Sequence, residues 1–398
     1  MADAAPADPF GFDTPVDRRD THCAKWDKMQ ALYGVSPEDG IPMWVADMDF
    51  RTAPAVIEDL QARVAHGVFG YYGDTSDYLA AVQGWMRRRH GWEVDPDWML
   101  TTHGLVAGVS HCIRAVSEPG EGIILFTPVY HAFHKIIAAN GRRIHQSPMV
   151  LEDGRYRLDL EGLAASLTGD ERMLIFCSPH NPGGMVWSRD ELRAVAEFCA
   201  EHDLIFLSDE VHHDLVLPGA KHTVALLAAP EHADRTIIAA AASKTFNLAG
   251  GMTGGLFIPN PELRAKVSAK HATAGASPNS LGPEMTTAAY SHGDAWLDAL
   301  LAYLDGNRKV FHEGVQAIPG LSSIWPEGTY MSWVDFSGTG METAEFTDRV
   351  QTGARIAANH GPAFGQGGES FLRFNFACPR ARVELAVERL AEAFSDLQ

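Results

Sequence analysis

Cysteine is scarce, and the five present (Cys23, Cys112, Cys177, Cys199 and Cys378) are scattered without a Cys-x-x-Cys pair. Neither a disulfide framework nor a zinc ribbon is indicated. Positive charge is also short: 32 Lys and Arg stand against 51 Asp and Glu, a net charge of −19. That balance argues against nucleic acid or an anionic membrane as the natural partner, and it requires locally placed cations wherever an anionic ligand binds. No uninterrupted apolar run is long enough to span a bilayer. The start, Met-Ala-Asp-Ala-Ala-Pro-Ala-Asp, has neither the basic head nor the apolar core of a signal peptide. Internal repeats and low-complexity tracts are missing too. A cytoplasmic protein with a small-molecule substrate is the expectation.

What is present is a globular composition, 46% hydrophobic and 21% charged over 398 residues. Residues 1–11 are rich in Ala, Pro and Asp and read as a mobile arm. From about 50 to 290, short apolar runs alternate with helical periodicity. Ile123–Phe126, Met173–Cys177, Leu204–Ser208, Thr236–Ala240 and Gly255–Ile258 read as buried strands. Between the second and third, Leu192, Val195, Ala196 and Cys199 repeat at helical spacing. This alternation predicts an α/β protein with a mostly parallel central sheet and helices on both faces. Beyond 290 the pattern changes. Trp296, Leu297, Leu300, Leu301, Leu304, Val310 and Phe311 stripe one long helix, followed by strand-like runs at 330–336 and 371–376 and a closing helix from about 382 to 394. The expected division is a large domain over 50–290 and a smaller α+β domain over 291–398, with residues 1–49 packing against the latter.

Three residues follow apolar runs on the edge where open α/β sheets bind ligands. Asn181 lies in Ser-Pro-His-Asn-Pro-Gly, Asp209 in Ser-Asp-Glu-Val-His, and Lys244 in Ala-Ser-Lys-Thr-Phe-Asn. The spacings are 28 (209 − 181) and 35 (244 − 209). In this order they suit pyridoxal 5′-phosphate: the Lys amine forms a Schiff base with the aldehyde, the Asp pairs with the pyridine nitrogen, and the Asn bonds the ring oxygen. Asp209 alone would read as a helix cap. Lys244 alone could be a surface lysine, but its neighbours are apolar, and a desolvated amine has a lowered pKa that suits proton shuttling. Tyr130 could stack on the ring, although a lone aromatic more often packs a core. Gly104 and Leu105, entering a helix, could offer backbone N–H groups to the phosphate, with a hydroxyl from Ser243. Arg373, set in Phe-Leu-Arg-Phe-Asn-Phe, needs a carboxylate; an internal salt bridge or a substrate α-carboxylate would serve. The His212/His213 and His131/His134 pairs lack further ligands at metal spacing, so no metal is expected. His212 is assigned to the cofactor.

Together these residues resemble the fold-type I pyridoxal-phosphate enzymes of the class I/II aminotransferase superfamily, and most of all its MalY/PatB-type cystathionine β-lyase (C–S lyase) branch. The resemblance runs from about Phe12 to the last helix. It includes Lys25-Trp26-Asp27, the run Pro42 to Phe50, Gly67-Val68-Phe69-Gly70-Tyr71, Pro128-Val129-Tyr130, His180-Asn181-Pro182 and Lys244-Thr245-Phe246-Asn247. It implies an aspartate-aminotransferase-like fold, pyridoxal phosphate on Lys244, and Asp209, Asn181 and Tyr130 at the ring. Gly104, Leu105 and Ser243 would serve the phosphate and Arg373 the substrate carboxylate. It also implies a homodimer with active sites at the interface, in which Tyr71 enters the partner subunit's site. The implied reaction is α,β-elimination from L-cystathionine or another cysteine S-conjugate; transamination of an L-amino acid with a 2-oxo acid is the alternative. His103, Ala241 and Met252 depart from the family pattern and leave fewer side-chain donors for the phosphate.

Overall fold

A computed structural model describes residues 8–275 and 278–397. Residues 1–7 of the expected arm lie outside these. Within the rest of it Phe10 packs 6.0 Å from Phe12. Phe12 is buried, with its ring 5.2 Å from Phe50 and 5.8 Å from Trp296.

The central sheet has seven strands: β1 (Met99–Thr102), β2 (Gly122–Thr127), β3 (Arg143–Pro148), β4 (Glu171–Cys177), β5 (Ile205–Asp209), β6 (Thr236–Ala240) and β7 (Gly254–Phe257). Their spatial order is β1-β7-β6-β5-β4-β2-β3. All neighbours run parallel except at β7, which is antiparallel to β1 and to β6. The inner strands are continuous apolar runs because helices cover both faces. Two of the helices start on a clear sequence signal. Ser188 and Glu191 form a reciprocal capping box for Arg189–Glu201, and Asn260 caps Pro261–Thr273 with Pro261 in the first turn.

A four-stranded antiparallel sheet follows: β8 (Ser322–Ser323), β9 (Met331–Asp335), β10 (Asn359–His360) and β11 (Phe371–Asn375), ordered β8-β9-β11-β10. The long helix spans Asp294–Gln316 and packs on the closing helix, Arg380–Ala393. The N-terminal segment joins this part of the chain. Ile41–Pro42 pairs in parallel with Ile356–Ala357, and Asp49 N donates to Ala377 O at 2.9 Å.

Buried ion pairs fix the strap Trp44–Phe50. Arg18 grips Asp47 through two bonds of 2.9 and 2.7 Å. Arg18 and Arg382 each reach Asp49 at 2.8 Å, and the Lys25 ammonium, itself fully buried, lies 3.4 Å from it. Burial alone would raise the Asp49 pKa, but Lys25, Arg382 and Arg18 outweigh it and hold the carboxyl below its usual range. Asp49→Asn leaves these cations facing a neutral group. The expected loss is about 3–5 kcal/mol, read as a lower urea midpoint at unchanged slope. Because the folded pKa is depressed, the wild-type contribution is present above the ordinary carboxylate range and is lost as pH falls below that range through the folded value.

Candidate active site

Four adjacent strands deliver the central residues to one edge. Asp209 is the last residue of β5 and Tyr130 lies three beyond β2, while Asn181 sits in the loop after β4 and Lys244 in the single helical turn Ala242–Thr245 after β6. Strand β1 ends on the same edge, with Gly104 capping the helix Leu105–Val116.

Lys244 is half-buried, and its Nζ donates to Ala46 O at 2.7 Å. Burial lowers its pKa to about 8; Arg373 adds to the lowering, while Asp47 and Asp209 oppose it. An amine tuned there is a competent base near neutral pH. Asp209 moves the other way. Burial lifts its pKa to about 7, only partly offset by the Val211 N–H at 3.2 Å and by Lys244. Among the described residues it has no ion-pair partner, and a protonated pyridine nitrogen would supply one.

Arg373 is buried on β11 between Trp333 and Asn359 of the flanking strands. Its guanidinium donates to Asn181 Oδ1 at 3.0 Å, to Trp44 O at 2.6 Å and to Asn359 Oδ1. Its Nε has no partner. All three acceptors are neutral, so among the described residues the alternative of an internal salt bridge for Arg373 is not realised. Burial lowers its pKa to about 10, with Tyr130, Tyr33 and Tyr330 acting against the shift. A buried cation bonded only to neutral groups is a receptor for a carboxylate. Tyr130 is itself pushed up by burial, with Arg373 lowering and Asp209 raising it. Tyr130, Arg373, Asp209 and Lys244 therefore share one electrostatic neighbourhood.

His212 is buried with an unpartnered Nδ1, its ring 5.9 Å from that of Tyr330. Burial first, then Lys244 and Arg373, drive its pKa well below the ordinary value, so it faces the site as a neutral imidazole. Gly104 adopts φ +77°, which a side-chain-bearing residue would resist, and it opens the first turn of an α-helix whose initial N–H groups have no intrahelical acceptor. Met252 covers it, with Cε 3.5 Å from where a Cβ would stand. The lone carboxylate of Asp209, the anion-free Arg373, the orphaned His212 Nδ1 and the Gly104 cradle fit pyridoxal phosphate.

Tyr71 is not brought to this cluster; it stands fully exposed with Val68 and Phe69. Sequence reasoning missed how the strap is used. Ala46 O accepts from Lys244 and, at 3.0 Å, from the Tyr330 hydroxyl. Asn247, three residues after Lys244, clamps Met48 N, Met48 O and Phe50 O at 2.9 Å each. Asn375 holds Val45 O and Asp47 O at 2.6 Å. Backbone carbonyls leave no mark in a sequence; the distinctive strap motif and Asn247 were the only pointers. Among the described residues one group could gather a metal by proximity: His90, His213 and Asp214, whose donor atoms lie within 4.8 Å of one another.

Comparison with known proteins matches the family described as aminotransferase class I and II over residues 38–390. The chain is 38% identical to the cystathionine β-lyase PatB of Bacillus subtilis, over 97% of this chain and 100% of PatB. Among solved structures it is similar to cystalysin of Treponema denticola, which contains a pyridoxal 5′-phosphate cofactor: TM-score 0.93, 35% identity, 98% of this chain and 100% of that one. A PLP-bound C–S lyase of Staphylococcus hominis superposes with TM-score 0.90 at 28% identity, over 97% of this chain and 98% of that one.

Proposed function

The chain belongs to the aminotransferase class I and II family, and we propose that it acts as a carbon–sulfur β-lyase on L-cystathionine or a related cysteine S-conjugate, releasing thiol, pyruvate and ammonia. It is an enzyme, and its cofactor is pyridoxal 5′-phosphate. Lys244 would hold the cofactor covalently, Asp209 its ring nitrogen and Asn181 its ring oxygen, with Tyr130 and His212 beside the ring. Gly104, Leu105 and Ser243 would take the phosphate. The bound cofactor supplies a sink for the electron pair left when Cα loses its proton.

The observation that carries an α-amino-acid substrate is Arg373, a buried guanidinium without an anion. A substrate α-carboxylate paired there sets Cα before Lys244, whose amine removes the proton. The thiolate then leaves from Cβ. Full-length similarity to a cystathionine β-lyase supports this outcome over transamination. The strap, tied over Lys244 through Ala46, keeps water from the reacting atoms.

The test mixes cofactor-loaded enzyme with L-cystathionine and no 2-oxo acid, and follows pyruvate and thiol. Release over many turnovers is expected. A single turnover that resumes only when a 2-oxo acid is added would instead make the protein an aminotransferase. Arg373→Ala should lower kcat/KM by roughly ten- to a hundredfold, mostly through KM, because a charge-assisted pair is lost. An unchanged KM would place the substrate carboxylate elsewhere.

The same reading makes the protein a homodimer in which Tyr71 serves the partner's site. The apolar, exposed Val64, Val68 and Phe69 around it support this. A solution mass of one chain would contradict it. The cofactor-binding part would span 50–290, and a smaller part 291–398, with 1–49 folded against it. No described helix is long and apolar enough to cross a membrane. A cytoplasmic setting agrees with five free cysteines.

A further inference from the structure

The residue after the lysine has a buried attachment of its own. Thr245 Oγ1 donates to Asp214 Oδ2 at 2.7 Å. Asp214 is buried, and its other oxygen accepts from Trp85 Nε1 at 3.0 Å and bonds His90 Nε2 at 2.7 Å. His213 Nε2 lies 3.2 Å from Oδ2. His90 closes a π-helical turn, Met86–His90, and its ring stands 4.4 Å from that of His213.

Three facts make this a hydrogen-bonded network rather than a metal site. Both carboxylate oxygens already accept from protein donors, Oδ1 from the Trp85 N–H and Oδ2 from the Thr245 hydroxyl. The 2.7 Å His90 contact is a hydrogen-bond length and requires His90 to keep its Nε2 proton. Burial lowers the His90 pKa, so that ring is neutral, while His213 and His90 overcome the effect of burial on Asp214 and keep it ionised. The result is one buried carboxylate held by hydrogen bonds from Trp85, Thr245 and His90.

The network lies between the two groups assigned to opposite ends of the chemistry. Asp214 follows Asp209 by five residues (214 − 209) on one continuous segment. The start of that segment is pinned separately: the Glu210 carboxylate accepts from Ser208 Oγ at 3.0 Å and from Ala225 N at 2.9 Å, and bonds His222 Nε2 at 2.9 Å. Its end is pinned to Thr245. The single turn Ala242–Thr245 is too short to hold its own shape.

We propose that Asp214 is a positioning residue for Lys244: through Thr245 it fixes the turn that carries the lysine and ties it to the segment that carries Asp209. This rests on the reading of Lys244 and Asp209 as cofactor ligands. Neither Asp214 nor Thr245 touches the substrate; their bond sets the angle at which the amine meets the cofactor and Cα.

The experiment uses full-length, cofactor-loaded wild type, Thr245→Val, Thr245→Ser and Asp214→Asn. It reads the pH midpoint of the bound cofactor's visible absorbance, then kcat and KM for L-cystathionine. Thr245→Val, nearly isosteric, should displace the midpoint and cut kcat about tenfold, with KM within about twofold, since a hydrogen bond to a charged group is lost. Asp214→Asn should do the same, and Thr245→Ser should restore wild-type values. A midpoint in Thr245→Val equal to wild type, even with a lower melting temperature, would reduce the bond to core packing and overturn the proposal. So would a Thr245→Ser variant as impaired as Thr245→Val. Wild type that acquires no visible cofactor band would sink the cofactor reading itself, and this inference with it.

Discussion

Lys244→Ala should leave a folded protein that neither fixes pyridoxal phosphate covalently nor turns over cystathionine. The half-buried amine is the basic group bonded to Ala46 O at the centre of the site. In the proposed role its loss would remove both the attachment and the proton acceptor. General-base removal alone costs on the order of 10²–10⁴ in rate, and losing the attachment adds to it, so activity should fall beyond the upper figure. Borohydride treatment, which fixes cofactor to wild type, should leave the variant unlabelled. Stability should not fall. Burial holds the Lys244 pKa down at about 8, so below that pH the wild-type chain keeps a charge its surroundings disfavour, a strain relieved as pH rises from about 8 towards the free value. Alanine removes that strain at neutral pH. Thermal melts of the two cofactor-free proteins at pH 7 check the point, and residual activity within tenfold of wild type would end the assignment.

Asp209→Ala has the second-largest expected effect. In the proposed role Asp209 would set a fixed negative charge at the ring nitrogen, a form of electrostatic catalysis, and its removal should lower kcat by about 10²–10³. A pH signature accompanies it. In the cofactor-free protein burial raises the Asp209 pKa to about 7. Between the ordinary carboxylate range and that value the folded state binds a proton that the unfolded state has released. The contribution of Asp209 to stability is therefore largest below about pH 4 and declines as pH rises towards 7. Bound cofactor brings a positive partner and removes the decline; Asp209→Ala removes it without cofactor. Chemical denaturation across pH 4–8 in the three forms measures this, and identical pH profiles for cofactor-free wild type and variant would show that burial does not raise the Asp209 pKa.

The inner strands were legible because burial on both faces forces continuous apolar runs, and Thr236–Ala240 has the bounds its sequence indicates. Strands β1 and β3 were not. As the two edges of the sheet they need not be apolar, and Arg143-Ile-His-Gln-Ser-Pro offers neither a run nor an alternation. At the site, Lys244 and Arg373 stood out because each is a charged group among apolar neighbours, and Asn181 and Asp209 because each follows an apolar run in order with Lys244. Asp214 did not, since its hydrogen-bond partners come from positions 85, 90 and 245 and only the fold brings them to it. The strap's carbonyls were invisible for a different reason: every residue has one.

The strap also governs when the enzyme can come into being. Its bonds to Asn247 span 199 residues or nearly so, and Arg373 to Trp44 spans 329. A chain emerging from the ribosome can complete the central sheet once β7 is out, and residues 44–50 can then meet Lys244 and Asn247, but they lack Arg373, Asn375 and Arg382 until β11 and the closing helix emerge. The nascent protein thus passes through a stage with Lys244 in place and its cover only partly held. Contacts of such separation form late and slowly. Chains cut short before about residue 380 should remain at that stage, open to proteolysis within the first fifty residues.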